Sequence, residues 1–139
     1  MKIYDNDLYI EDLDYVAGLN LPWENLQGKS ILISGATGLI GSFLVDVLMR
    51  KNENGLDCTV YALSRNMQRA VDRFPKWSGN QLLQFISYDI NHSLVRDDLG
   101  TVGYVLHMAS YTHPMQYSSD PIGTITTNII GVQNMLDFA

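Results

Sequence analysis

The stretch Ile31-Leu32-Ile33-Ser34-Gly35-Ala36-Thr37-Gly38-Leu39-Ile40-Gly41 decides the fold. Three apolar residues run into three glycines spaced three apart, and an apolar helical pattern continues from Ser42 to Met49. Physically this is a buried strand, a tight turn and the start of a helix. A helix start leaves its first backbone N–H groups unpaired and carries the positive end of the helix dipole. Without Cβ atoms on the glycines, an anionic group can come close to that backbone. The same glycines also permit close strand–helix packing, which is the competing reading of the turn.

Outward from this stretch the chain alternates strand and helix patterns. Residues 1–27 precede it as a helical extension. Asp5, Asn6 and Asp7 are candidate N-caps, Leu8, Leu13, Val16 and Ala17 form an apolar stripe, and Gly18 sits just past the end. Trp23, after Leu21-Pro22, is placed to cover an apolar surface. Beyond the glycines the first helix runs to about Arg50, and Cys58 to Leu63 is a β-branched and aromatic strand. Met67 to Phe74 has helical spacing and Pro75 to Asn80 is a loop. Leu82 to Ser87 is a third strand, His92 to Leu99 a short turn or helix, and Val102 to Leu106 a fourth strand. Tyr111 to Ser119 is a polar loop. Asp120 then caps a helix that has Pro121 in its first position, with an apolar face on Ile122, Ile125, Ile129, Val132, Met135, Leu136 and Ala139. This order implies an α/β fold with a doubly wound parallel sheet and right-handed crossovers.

Composition narrows the function classes. At 139 residues the chain forms one domain, and its 46% hydrophobic content is that of a globular protein. A net charge of -6 without a Lys/Arg cluster argues against nucleic acid as a partner. No apolar run is long enough to span a bilayer, and the acidic N-terminus is not a signal peptide, so the expectation is no membrane and a cytoplasmic location. Cys58 is the only cysteine and reads as a small buried residue of a reducing compartment. His92, His107, His113 and Cys58 lack the spacing of a metal site, so no metal is expected.

The spacing Gly-x-x-Gly-x-x-Gly, in the wording GATGLIG, resembles the extended branch of the short-chain dehydrogenase/reductases, the NAD-dependent epimerase/dehydratase family. The resemblance covers about Lys29 to Ala139 and is strongest toward nucleotide-sugar decarboxylases and 4,6-dehydratases. It implies a Rossmann fold over residues 28–139, truncated before the substrate-binding part, and a dinucleotide cofactor. The family pattern puts the pyrophosphate over Gly35, Thr37, Gly38, Leu39, Ile40 and Gly41. The position that usually holds an acidic residue for the adenosine ribose is Ser64 here, followed by Arg65. A guanidinium can pair with a 2′-phosphate, so these two lean toward NADP, although NAD is usual for the sugar-nucleotide members; stacking of Arg65 on adenine is the alternative. Asp89 and Ile90 match the pair beside the adenine ring. His107-Met108-Ala109-Ser110 resembles the segment that passes under the cofactor, with Met108, Ala109 and Ser110 as contacts and His107 as a structural residue. Asn128 matches a residue that supports the catalytic lysine.

Enzymes of this family use a Tyr-x-x-x-Lys pair, in which the lysine lowers the tyrosine pKa for general-base work. No tyrosine of this chain has a lysine four residues on. The expectation is therefore the cofactor-binding portion of a longer NAD(P)-dependent nucleotide-sugar epimerase, dehydratase or decarboxylase. By itself it would be inactive, and self-association as a homo-oligomer is expected. An NADP-dependent carbonyl reductase and a non-catalytic dinucleotide sensor are the alternatives.

Overall fold

The computed structural model describes residues 3–110 and 114–139. Four parallel strands, β1 (Ser30–Ser34), β2 (Thr59–Ser64), β3 (Leu83–Ser87) and β4 (Tyr104–His107), form one sheet in the order β3-β2-β1-β4. The order reverses between β1 and β4, so the sheet is doubly wound as its sequence pattern implies. Helices α1 (Asp7–Gly18), α2 (Leu39–Glu53), α3 (Met67–Arg73), α4 (Pro114–Ser119) and α5 (Pro121–Phe138) accompany it.

Strand alternation sorts the core into two layers. Ile31, Ile33, Val60 and Ala62 point to one face, where Val45, Leu48 and Met49 of α2 meet Phe74 and Trp77. Leu32, Tyr61 and Leu63 point to the other, where they meet Met135 of α5 and Leu99. Cys58, just ahead of β2, is fully buried, and burial pushes its thiol up to about 11.

The N-terminal extension is a third layer, with α1 packed on α2. Asn6 is its N-cap, its side chain accepting the N–H groups of Leu8 and Tyr9. Leu13 and Ala17 are buried as the stripe requires, but Leu8 is 70% exposed, and Gly18 closes the helix rather than following it. Under this layer lies the carboxylate of Asp46, fully buried in α2. Its Oδ1 accepts from the Tyr4 hydroxyl and the Trp77 indole N–H, both at 2.6 Å. Its Oδ2 accepts from the Tyr9 hydroxyl and, at 2.8 Å, from Arg73. Burial, and then the bond to Asp46, raises both phenols, Tyr9 to about 12, so both remain donors at neutral pH.

The connection from β3 to β4 carries a 3-10 turn, Asp97–Leu99, within the short turn or helix expected from His92 to Leu99. Two expectations are corrected. The polar loop before Asp120 contains α4, a helix too short to show an apolar period; Tyr111 to His113, with the candidate ligand His113, lie outside the described residues. The apolar face of α5 points away from the sheet. Ile122, Ile125, Ile129 and Leu136 are each more than half exposed and Val132 and Ile130 about two-fifths, while Thr124, Thr127, Gly131, Asn134 and Met135 are the buried side. Gly131 is there because a Cβ would lie 2.7 Å from Ile90 Cδ1. Asn134 is there because its amide donates to the buried carbonyl of Ile90 at 2.7 Å.

That bond ties α5 to the strand-end segment after β3. Asn134→Ala leaves a buried carbonyl unpaired and should lower unfolding stability by about 1–3 kcal/mol in urea titrations. A loss below the error of the titration would show that the carbonyl finds another donor.

Candidate functional site

The C-terminal ends of the strands open onto a cleft of about 180 Å³ at the reversal point of the sheet. Its floor is the turn from β1 into α2, with Gly35, Thr37 and Gly38; β2 contributes Ser64 and Arg65, the segment after β3 Tyr88, Asp89, Ile90 and Asn91, and β4 Met108, Ala109 and Ser110. These are most of the residues expected at a dinucleotide. Leu39, Ile40 and Gly41 are not among its walls. The side chains of Leu39 and Ile40 project into solvent at 91% and 74% exposure, so only their backbone faces the turn, and Gly41 is buried.

The three glycines do different work. Gly35 has φ +69, and a Cβ there would lie 2.6 Å from the carbonyl of Met108. A Cβ on Gly41 would strike the Gly35 carbonyl group and come within 3.2 Å of Ala36 Cα. Both are therefore packing glycines. Gly38 differs: its Cβ would meet only the Gly35 carbonyl oxygen at 3.2 Å and otherwise faces open space. It is also the N-cap of α2 and supplies no side-chain acceptor, so no capping side chain covers the first turn of the 15-residue helix. The sequence alone does not separate these roles.

β4 is held against the turn by Ser34, a buried residue that sequence reasoning did not single out. Its hydroxyl accepts from the N–H groups of Met108 at 3.1 Å and Ala109 at 3.3 Å. With both lone pairs used, its proton goes to His107 Nδ1, 2.7 Å away. His107 is thus a neutral acceptor on that nitrogen, and burial lowers its pKa further. It is structural, as expected.

At the far end, the Ser64 hydroxyl is engaged by its own turn. It donates to the Asn66 carbonyl at 2.9 Å and accepts from the Asn66 N–H at 3.2 Å. Asn66 in turn caps α3. Across the cleft, Asp89 accepts from the N–H of Asn91. Asn91 Oδ1 is buried and has no hydrogen-bond partner among the described residues. An orphaned acceptor in a cleft wall is the feature a bound donor would complete. Nothing in the sequence marks Asn91 beyond its place two residues after Asp89. Asn128 accepts from the Ser110 hydroxyl at 2.9 Å and is not itself among the residues lining the cleft. Among the described residues no group of three His, Cys, Asp or Glu could hold a metal, and no helix is long and apolar enough to cross a membrane.

The site fits a dinucleotide on these observations: an open turn at an uncapped helix start, small residues on β4, and an unpaired acceptor beyond Asp89.

Comparison with known proteins identifies the family and the fold. Residues 31–139 match the sequence profile of the NAD dependent epimerase/dehydratase family. UDP-glucuronic acid decarboxylase 5 of Arabidopsis thaliana is 36% identical over 109 residues, which are 78% of this chain and 30% of that protein. UDP-glucuronic acid decarboxylase 1 of Danio rerio is 35% identical over 112 residues, 80% of this chain and 24% of that one. The chain thus spans less than a third of these relatives. Among solved structures, Pen from Bacillus thuringiensis superposes with a TM-score of 0.67 at 27% identity, over 81% of this chain and 34% of its own. UDP-glucuronic acid 4-epimerase from Bacillus cereus, solved with UDP-glucuronic acid and NAD, shares the fold at a TM-score of 0.63 and 24% identity, over 78% and 35%.

The split among the glycines is testable by substitution. Gly35→Ala and Gly41→Ala should each lower stability by about 1–3 kcal/mol, as forced contacts and left-handed backbone do. Gly38→Ala should cost markedly less. Equal thermal shifts for all three would contradict the assignment.

Proposed function

The chain belongs to the NAD dependent epimerase/dehydratase family, and we propose that it is the cofactor-binding part of an enzyme that epimerises or decarboxylates a nucleotide sugar. The relatives named above act on UDP-glucuronic acid, so a UDP-linked uronic acid is the substrate class to test first. The observation that carries the reading is the open Gly38 turn at the reversal point of the sheet, the one glycine of the motif whose missing Cβ leaves room for a ligand.

In this reading the unpaired N–H groups at the start of α2 hold the pyrophosphate. Asn91 Oδ1 and Asp89 receive donors of the adenine side, and Met108 to Ser110 run beneath the nicotinamide ribose. The chemistry such a cofactor supplies when bound is reversible uptake of a hydride from a sugar carbon. The chain's own residues bind and orient. No tyrosine of residues 1–139 has a lysine four positions on, so proton transfer from the sugar hydroxyl is not provided by these residues. Arg65 lines the cleft, and a guanidinium there would pair with the 2′-phosphate of NADP or stack on adenine; NAD, the cofactor in the solved epimerase, is tested beside NADP.

The outward face of α5 supplies the partner. Ile122, Ile125, Ile129, Val132 and Leu136 follow one another at steps of 3, 4, 3 and 4, and no charged residue lies between Pro121 and Leu136. That is the seam spacing of paired helices. A second copy of the chain, offering the same seam, is the occupant proposed here.

Two measurements follow. Calorimetric titration should show binding of NAD or NADP that Gly38→Val abolishes with the fold retained. Arg65→Ala should weaken NADP by about 1.5–3 kcal/mol and leave NAD nearly unchanged. Equal losses for both cofactors would place Arg65 on adenine, and 4-keto product from UDP-glucuronic acid with this chain alone would require a base outside the pattern above. Separately, sedimentation should give a dimer that Ile125→Glu with Ile129→Glu converts to monomer. A monomeric parent chain at high concentration would reject the seam.

A further inference from the structure

Residues before β1 lie outside the span matched by the family, yet they supply two of the four donors to the fully buried Asp46 carboxylate. The other two come from Arg73, the last residue of α3, and from Trp77 just beyond it. Arg73 is held on several sides. Its guanidinium donates to the hydroxyls of Tyr4 at 3.2 Å and Tyr9 at 2.8 Å, and it lies 5.8 Å from the centroid of each of those rings and 4.9 Å from that of Phe74. The rings of Tyr4 and Tyr9 pack edge-on to one another and against Trp77 and Phe43 respectively. Three parts of the chain therefore meet on one buried charge.

The two helices joined there bound the cleft at opposite ends. α2 begins at the Gly38 turn, and α3 begins at Met67, its N-cap Asn66 following directly on Ser64 and Arg65. α3 has seven residues, too few for a helix to persist on its own propensity. Its placement depends on what holds it: Ala70 and the adjoining Phe74 are buried against the sheet, and Arg73 in its last turn is fixed by Asp46 of α2 together with the two tyrosines.

We infer that the N-terminal segment is a strap that locks α3 to α2 through Tyr4, Tyr9 and Asp46, and thereby sets the Ser64–Asn66 turn at the adenosine end of the cleft. Asp46, Tyr4 and Tyr9 are positioning residues, since none of them lines the cleft. The inference rests on the dinucleotide reading for its functional half, while its structural half is independent of any ligand.

The test is Tyr4→Phe with Tyr9→Phe in the full chain, which keeps both rings and removes only the hydroxyl donors. Hydrogen exchange of the α3 amides should speed up by about tenfold or more, with β1 and β2 unchanged. NAD affinity should fall by about fivefold or more, the scale of one net hydrogen bond, while nicotinamide mononucleotide, which lacks the adenosine half, binds as before in NMR titration. Unchanged α3 exchange overturns the strap, whether or not the parent binds NAD. Equal weakening of NAD and the mononucleotide overturns it too, because a merely loosened fold would affect both ends. A parent chain that binds no dinucleotide defeats the functional reading alone, and the exchange result then decides the strap. Should the double variant fail to fold, Tyr9→Phe carries the same comparison.

Discussion

The closeness of β4 to the turn after β1 is the constraint on which the cleft depends. Gly35 adopts φ +69 with the Met108 carbonyl where a Cβ would stand, and Ser34 draws in the backbone of Met108 and Ala109 with one hydroxyl. A larger residue at 35 would push the strand ends apart at the point where the sheet order reverses. Because the contact is backbone against backbone, no side-chain rearrangement could relieve it. The cleft therefore has a rigid floor, and α2 starts from that floor with its first turn open. Rigidity at this place matters for a phosphate site, since fixed N–H groups bind without the cost of being ordered.

Most of this frame was legible in the sequence. The run from Ile31 to Gly41 announces strand, turn and helix because three glycines at fixed steps separate two apolar periods. The residues at the ends of β2, β3 and β4 could be placed from the resemblance, and the structure brings Ser64, Arg65, Asp89, Ile90, Met108, Ala109 and Ser110 into one cleft. The division of labour among the glycines was not legible, because it depends on what lies above each of them. Asn91 was missed for a similar reason: an unpaired acceptor is defined by its surroundings, not by its identity.

α5 shows a different limit. Apolar periodicity says that a helix has an apolar stripe, but not what the stripe faces. Here the sheet takes Thr124, Thr127, Gly131 and Asn134, and the isoleucines face outward. Small and hydrogen-bonding residues suit the inner side because the Ile90 side chain comes within 2.7 Å of where a Cβ on Gly131 would stand. The helix is held to the sheet partly by a directed bond, Asn134 to the Ile90 carbonyl, and its apolar surface remains available. An exposed stripe of this size on one helix is the usual mark of an interaction surface.

The Asp46 cluster was the least visible from sequence, since residues 4, 9, 46, 73 and 77 share no motif. Its chemistry nevertheless explains why a charge stands there. An apolar side chain would fill the same space, and such replacements of buried charges are often neutral or stabilising. What it could not do is select orientation. A carboxylate that accepts two hydrogen bonds on each oxygen is satisfied only when the Tyr4 and Tyr9 hydroxyls, the Trp77 indole and the Arg73 guanidinium all arrive in their places. Loss of Arg73 leaves an uncompensated buried charge, and loss of a hydroxyl or indole donor leaves a buried carboxylate oxygen short of a partner, so the three parts of the chain are held together. α1 alone buries little more than Leu13 and Ala17, which would let it slide along α2. The hydrogen bonds to Asp46 remove that freedom, and through Arg73 they remove it from α3 as well.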